Sequence, residues 1–498
     1  MEDNNKKQIH VKKHLWPDEI MAKKLKRRNR VSIVALLVVC FGLGYATNTF
    51  LAKGGSLTIT STGESVSVSE KFNKIYDILA NEWYFGKDIE ELDAKLIDKA
   101  ISGMSTDEID PHTTYMDSET TSSLMTSLSG SLVGIGIQYY ALGDEFLVEK
   151  VYMNSPAQES GLKEGDLIKK VDGKAIEGMD SEKVKAMITG EEGTQVSVEV
   201  LRGQENKKIV MTRAEVSISA YGYIKDNVGI IELSSFSQNS AQEVESYLES
   251  FKQKGVERII LDVRNNGGGY VETAIGIASL FIEKGEVVLY QEDKNGDFSD
   301  EKTYGGTKYA FDRVAVLVNE NTASASELLS AALKYYIDAD IIGVNTYGKG
   351  TVQRTIEFSD GSAFKYTVAE WLTPKKEKIN QKGIKPTQEV KLDEAINYAA
   401  NIEEDVVYEV DGLGENIKTV QVFLKFLGYD VDRVDGYFSQ ETLAALKAYQ
   451  TKEGMEVTGK IDEEIIEKLI TSGSRKWHDE KETLDIQMNK ALEVVNGK

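Results

Sequence analysis

The spacing of apolar and polar positions changes several times along this chain. Residues 31–52 are apolar and free of charge, about the length of a helix that crosses a bilayer. From residue 70 to 128 apolar positions fall at helical spacing: Phe72, Ile75, Ile78 and Leu79, then Leu92, Leu96, Ile97, Ala100 and Ile101. Short β-like runs follow at 132–139, 146–151, 167–171 and 196–201, divided by turns such as Asp172-Gly173-Lys174. Residues 228–233 and 258–263 read as core strands, with a helix at 240–254 between them. A further apolar strand, 314–318, passes through a polar turn at 319–322 into an amphipathic helix with Leu328, Leu329, Ala332 and Leu333 on one stripe. Another strand, 341–344, leads to Gly348-Lys349-Gly350. Helical stripes return beyond residue 412: Val420, Phe423, Leu424 and Leu427, then 442–449, 463–469 and 486–495. The pattern predicts an α/β multidomain chain, in keeping with its 498 residues.

Charge orients the first apolar run. Residues 1–30 hold ten Lys and Arg against four acids, and few basic residues follow the run. That asymmetry predicts a cytoplasmic basic tail (1–30), a single-pass anchor (31–52) and a body outside the membrane. A cleaved signal peptide is the alternative, with small residues at Gly44-Tyr45-Ala46; the long N-terminal region favours the anchor. Residues 53–69, rich in Gly, Ser and Thr, read as a spacer. The net charge of -22 argues against nucleic acid as a partner. The single cysteine, Cys40, permits no intrachain disulfide and no multi-cysteine metal site, and no H-E-x-x-H pattern occurs. No metal and no cofactor is expected.

Candidate chemistry lies where the 314–318 strand meets its helix. Ala323-Ser324-Ala325-Ser326-Glu327 places serines beside backbone N–H groups that lack helical partners, so a nucleophile and part of an oxyanion hole fit there. Serine needs a base. The four histidines, His10, His14, His112 and His478, lie outside this core stretch. Lys349 can serve if burial favours the neutral amine, with Val344 and Val352 as apolar walls and Gln353 able to hold the amine. A capping serine and a solvated turn lysine are the plainer reading. Elsewhere, Gly134-Ile135-Gly136-Ile137 alternates glycines, whose N–H groups can converge on a carboxylate, with isoleucines that line a pocket; a plain buried strand fits too. Asp262-Val263-Arg264-Asn265-Asn266-Gly267-Gly268-Gly269 follows a strand, but without G-K-[ST] it is no nucleotide loop.

Asn319-Glu320-Asn321-Thr322-Ala323-Ser324-Ala325-Ser326-Glu327 with Gly348-Lys349-Gly350-Thr351-Val352-Gln353 resembles the active-site segments of the carboxyl-terminal processing, or tail-specific, proteases. The resemblance implies Ser324 as nucleophile, in preference to Ser326, Lys349 as general base and Gln353 as the residue that positions the lysine. It implies an oxyanion hole from the N–H groups of Ala325 and Gly268, with Gly269 as the alternative. Residues 361–374 and 383–386 are similar to the family's closing strands. Many members carry Gln-Asp where Lys334-Tyr335 stand here, which puts a carboxylate role in the site in doubt. Asp110-Pro111-His112-Thr113-Thr114-Tyr115 resembles the element that precedes the family's PDZ domain, and His112 is read there as structural. Ser155-Pro156-Ala157, Gly161-Leu162-Lys163-Glu164-Gly165-Asp166 and Val171-Asp172-Gly173 resemble a PDZ domain, which implies Gly134, Ile135, Gly136 and Ile137 as its peptide carboxylate loop. Where many relatives have Arg before a glycine, Thr189 precedes Gly190. Gly428-Tyr429 and Asp435-Gly436-Tyr437-Phe438 resemble a peptidoglycan-binding-like domain, and 486–495 resembles the proteases' own C-terminal segment.

The expected layout is a helical N-terminal region (70–128), PDZ domain (129–215), α/β crotonase-like protease core (216–402), small α-helical peptidoglycan-binding-like domain (410–471) and helical tail (472–498). The expected activity is serine endopeptidase cleavage of protein substrates near apolar C-termini, under PDZ control, at the outer side of the cell membrane. Protein tails are the expected partners, peptidoglycan is a candidate ligand, and the oligomeric state is open, a homo-oligomer included. Two rivals stand beside this reading: a catalytically silent PDZ and cell-wall scaffold, and a crotonase-type acyl-CoA enzyme, which would leave the PDZ without a task.

Overall fold

A computed structural model of the chain describes residues 67–497, apart from 106–109, 143, 307, 401, 404 and 405. The chain divides into two compact units, residues 1–92 and 93–498. In the first, α1 (Val68–Asn81) leads to a 3₁₀ turn at Tyr84–Asp88. Ser67 opens α1 with a capping box: its hydroxyl accepts the Glu70 N–H at 3.3 Å, and the Glu70 carboxylate accepts the Ser67 N–H at 2.9 Å. The expected basic tail and anchor lie outside the described residues. Among the described residues no helix is long and apolar enough to cross a membrane.

The second unit begins one residue into α2 (Leu92–Ser105), which β1 (Thr114–Met116) and α3 (Ser118–Ser129) follow. The stretch expected to be helical throughout is therefore broken by a strand. Pro111 cannot continue a helix, and the β-branched and aromatic residues Thr113, Thr114 and Tyr115 suit an extended chain. Next come β2 (Ser131–Gly134), β3 (Ile137–Leu142), β4 (Glu145–Val151), α4 (Pro156–Glu159), β5 (Leu167–Val171), β6 (Lys174–Ala175), α5 (Ser181–Ile188), β7 (Gln195–Arg202), β8 (Glu205–Thr212) and β9 (Ala214–Ser217). Strands β3-β4-β5-β7-β8 form an antiparallel sheet with β6 on β5. Its buried residues include Phe146, Val148, Ile168, Val198 and Met211, joined by Val184 and Ile188 of α5. The expected strand at 132–139 is two strands, because the chain turns at Ile135-Gly136, where Gly136 has φ +76°. Strand β2 pairs with β9, so entry to and exit from this segment lie side by side.

The core follows: β10 (Ala220–Lys225), β11 (Val228–Leu233), α6 (Ser240–Gln253), β12 (Arg258–Asp262), α7 (Val271–Ser279), β13 (Val287–Asp293), β14 (Phe298–Lys302), β15 (Arg313–Val318), α8 (Ala325–Tyr336), β16 (Asp340–Gly343), β17 (Thr351–Glu357), β18 (Ala363–Leu372) and β19 (Gln388–Glu389). One sheet has the order β10-β11-β12-β15-β16-β19, with every pair parallel except the β10–β11 hairpin. The two-residue period sorts its side chains. Ile231, Leu233, Ile259, Leu261, Val314, Val316 and Val318 join one cluster with α6, α7 and α8. Val228, Ile230, Ile260, Ala315, Leu317 and Ile342 join a second cluster. A second sheet has the order β1-β18-β13-β14, with β17 also on β18.

Three more helices, α9 (Glu415–Phe426), α10 (Gln440–Lys452) and α11 (Glu463–Leu484), enclose a cluster with Val420, Phe423, Leu424, Leu446 and Ile466 buried. The helix expected at 463–469 runs on to Leu484. Gly473 lets it continue close to α9: a Cβ there would lie 2.6 Å from the Phe423 ring. The chain then returns to the core. In α12 (Ile486–Val495), Met488, Ala491, Leu492 and Val495 cover the second face of the parallel sheet. Both faces are thus buried, as a parallel sheet requires. A buried ion network ties this return: Arg264 pairs with Asp262 at 2.7 Å and with Asp485 at 2.8 Å.

Candidate active site

The β15–α8 junction holds Ser324 in an unusual conformation, φ 57° and ψ -116°. Such a geometry is costly for a residue with a Cβ and marks a site where the backbone is over-determined. Its restraint is Glu327, three residues on and fully buried. One carboxylate oxygen of Glu327 accepts the N–H of Ser324 at 2.8 Å and that of Lys349 at 2.9 Å. The other accepts the Gly348 N–H at 2.7 Å and the Thr346 hydroxyl at 2.5 Å. Burial pushes the Glu327 carboxyl up, against these hydrogen bonds, which favour the ionised form. Ser324 and Lys349 are thereby held by a single side chain. Sequence reasoning missed this role: Glu327 stood in the motif, but its partners at 346–349 did not show.

Ser324 is half-buried, whereas Ser326 is fully buried and its hydroxyl donates to the Asn266 carbonyl at 2.9 Å. Ser326 is committed to packing and Ser324 is accessible. The glycines around Lys349 serve a close approach, as the spacing suggested. A Cβ on Gly348 would lie 2.7 Å from the Gly383 nitrogen, and one on Gly350 would lie 2.6 Å from the Asn380 nitrogen. The carbonyl of Lys349 accepts the Trp371 ring N–H at 3.1 Å. Lys349 is half-buried. Burial holds its amine below the usual lysine range, and Lys365 adds to that, while Asp110 and Glu327 work the other way. Among the described residues, no hydrogen bond joins the Ser324 hydroxyl to the Lys349 amine.

Two expected contacts fall elsewhere. Gln353 does not hold the lysine: its amide nitrogen donates to the hydroxyls of Thr351 at 2.8 Å and Thr367 at 3.2 Å. The reason is local, since β17 and β18 shift register between Val352 and Gln353, setting Gln353 opposite Thr367. The Gly268 N–H, expected in the oxyanion hole, donates to the Asn266 side chain at 2.9 Å. Gly268 nevertheless abuts the nucleophile, as a Cβ on it would lie 2.9 Å from the Ser324 Cβ and 3.0 Å from the Ala325 nitrogen. The N–H groups of Ala325, at the first position of α8, and of Gly269 donate to no described residue. His112, read as structural, stands near enough to Lys349 to feel its charge: burial, then Lys349, hold its imidazole below the usual range.

In the antiparallel segment, the chain turns between β2 and β3 at Ile135-Gly136. The Ile135 side chain is buried, and the N–H groups of Ile135 and Gly136 donate to no described residue. Gly136 must be glycine, because a Cβ would lie 2.3 Å from the Ser155 Cβ. Thr189, at the end of α5, lies beside Gly134. Among the described residues no cluster of His, Cys, Asp and Glu could hold a metal ion.

Comparison with known proteins places these features in one lineage. Residues 227–390 match Peptidase family S41, 133–212 match the PDZ domain, 414–469 match a peptidoglycan binding domain, and 37–120 match the Activating protease CtpB N-terminal domain. The chain is 36% identical over 477 residues to the Carboxy-terminal processing protease CtpA of Bacillus subtilis (strain 168), covering 95% of this chain and 99% of the relative. It is 34% identical over 425 residues to the "Probable CtpA-like serine protease" of Staphylococcus aureus (strain N315), covering 84% of each. Among solved structures, the photosystem II D1 C-terminal processing protease is 27% identical, with a TM-score of 0.37, over 64% of this chain and 86% of that one. The chain is a serine-type peptidase and belongs to the C-terminal processing proteases of peptidase family S41, with a PDZ domain and a peptidoglycan binding domain.

Proposed function

We propose that the enzyme cuts protein substrates near apolar C-termini with a Ser324–Lys349 dyad. Lys349, neutral, takes the proton of Ser324, whose oxygen attacks the scissile carbonyl. The Lys349 ammonium gives that proton to the amine as the C–N bond breaks, which leaves the acyl-enzyme and a neutral lysine; water, deprotonated by Lys349, then hydrolyses the ester and the proton returns to Ser324. The observation that carries this reading is the Glu327 clamp, which fixes a strained, accessible serine and a half-buried, unpaired lysine to one carboxylate. The Ala325 N–H offers itself to the oxyanion. A second donor comes from Gly268, once it leaves Asn266, or from Gly269.

The site reads as gated. The serine and lysine are not hydrogen-bonded to each other, and the Gly268 N–H is occupied. Closure on substrate would complete both contacts, as is common for catalytic hydrogen bonds that tighten only in the complex. Control by the PDZ domain is supported by the open N–H groups at Ile135 and Gly136, which suit a peptide carboxylate beside an apolar side chain. The basic run and apolar residues 31–52 support a single-pass anchor with the enzyme on the outer side, where its C-terminal helices would meet peptidoglycan.

The test is proteolysis by the full chain of an unstructured substrate with an apolar tail, beside Ser324→Ala and Lys349→Ala. Wild type should cut, and both variants should bind the tail without cutting. Cleavage that survives Lys349→Ala would refute the dyad. Binding without cleavage by wild type, unrelieved when the PDZ domain is deleted, would favour the scaffold.

A further inference from the structure

The core's Glu327 spends its carboxylate on three backbone N–H groups and the Thr346 hydroxyl, and no hydrogen bond joins it to the Lys349 amine. After α8's apolar stripe stand Lys334, whose amine donates to the Lys385 carbonyl at 3.0 Å, and the exposed Tyr335. A carboxylate arrives instead from a distant part of the sequence. Strand β1 lies antiparallel on β18, with Thr114 opposite Lys365, and this carries the preceding turn, residues 110–113, to Thr367. The Asp110 carboxylate accepts the Thr113 hydroxyl at 2.5 Å, the His112 N–H at 3.1 Å and the Thr367 hydroxyl at 3.2 Å. The Thr367 N–H returns to the Thr113 hydroxyl at 3.1 Å. The Thr367 hydroxyl also accepts from Gln353, so a continuous chain runs from Asp110 through Thr367 to Gln353, on the strand that Lys349 leads into. A hydroxyl has one donor and two lone pairs, and this one uses both capacities.

We propose that Asp110 is a second carboxylate of this active site beside Glu327, a positioning residue that braces the lysine strand through Thr367 and Gln353 and adds to the charge met by the Lys349 amine. The proposal rests on Lys349 as the base. When the Ser324 proton moves to Lys349, an ammonium forms in a half-buried place, and Asp110 stabilises it without taking the proton. Four charged or titratable groups act on that amine: Asp110 and His112 from the turn, Lys365 from β18 and Glu327 from α8. Burial raises the Asp110 carboxyl, but its hydrogen bonds from Thr113, Thr367 and His112 together hold it below the usual range, so it is ionised when the lysine works.

The test compares wild type, Asp110→Asn, Asp110→Glu and Thr367→Val as full chains. Two quantities are followed against pH: kcat/KM on the tailed substrate, and the rate at which cyanate carbamylates Lys349, read by mass spectrometry. The second needs no cleavage, so it stands even if the dyad reading fails, a failure that retained activity in Lys349→Ala would reveal separately. Asp110→Asn should lower the midpoint of Lys349 carbamylation by about one pH unit, because an anion that favours the ammonium is gone. Its kcat should fall by up to about 100-fold. Thr367→Val, which cuts the brace but keeps the charge, should lower kcat and leave the midpoint in place. Asp110→Glu should restore part of both quantities. A carbamylation midpoint unmoved in Asp110→Asn would overturn the proposal. If that variant does not fold, a wild-type kcat in Thr367→Val, which breaks the chain from Asp110 to Gln353, would overturn it equally.

Discussion

The backbone N–H groups of Ser324 and Lys349 meet on one oxygen of Glu327, at 2.8 and 2.9 Å. Nucleophile junction and lysine loop are separate in sequence, the loop running from β16, beside β15 in the parallel sheet, to β17 in the second sheet, yet one carboxylate sets their spacing. Replacing it with a carboxamide puts an NH₂ group against N–H donors. Glu327→Gln should therefore cost about 1–3 kcal/mol of stability and lower kcat on the order of 10- to 100-fold. Urea unfolding and steady-state kinetics measure the two; a variant with wild-type kcat would show that the spacing is set elsewhere.

The lysine makes a prediction about pH. A base must be neutral, and burial holds the Lys349 amine below its ordinary 10.5. Cleavage should rise with pH along a limb centred below that value and then level. A rate that is flat, or that falls above neutral pH, would exclude lysine as base.

The same displacement carries a cost in stability. Between its folded pKa and 10.5 the lysine binds fewer protons folded than unfolded, so wild-type stability rises with pH across that window. Lys349→Met should therefore be more stable than wild type at neutral pH, with the gap narrowing as the medium becomes alkaline. Thermal unfolding of both proteins across pH 6–10, a span of roughly four units around the usual lysine window, gives the comparison.

The β2–β3 turn, proposed to hold a peptide carboxylate, offers a test of tail capture apart from chemistry. Gly136→Val places a β-branched side chain at φ +76°, into the space that Ser155 fills. Binding of an apolar-tailed peptide should drop at least tenfold, an order-of-magnitude expectation for a disrupted loop, while the hydrogen bonds around Glu327 are left intact. Fluorescence anisotropy of the labelled peptide reads it.

Leu492 is buried beneath the parallel sheet with Met488, Ala491 and Val495. Leu492→Ala should cost about 2–4 kcal/mol, the usual range for a buried leucine. Removal of residues 486–498 should prevent the core from folding, whereas looping out 410–484 should spare it. Circular dichroism of the two deletions separates them.

Local chemistry was legible and distant pairing was not. The apolar run ending at Val318, the serines behind it and the glycines around Lys349 each announce a strand, a junction and a close approach within a few residues. Asp110 did not announce itself, because its place beside Thr367 depends on β1 pairing with β18, more than two hundred residues away. Gln353 misled for a related reason: four residues from the lysine suggested a contact, but a register shift turned it to Thr367. Gly268 showed its closeness to Ser324 and hid the direction of its N–H, which Asn266 decides. Ile486–Val495 was legible as a helix, but the sheet face it covers was not.

That face has a consequence for the order in which the molecule is made. A chain emerges from the ribosome N-terminus first, so every strand of the parallel sheet exists before the helix that closes it. Until Val495 is available, Ile230, Ile260 and Leu317 have no cover. The intervening helical module must be synthesised before the protease can mature. Ser324 and Lys349 therefore reach their final stability only after residues 486–495 have been made, later than every strand of the sheet that carries them.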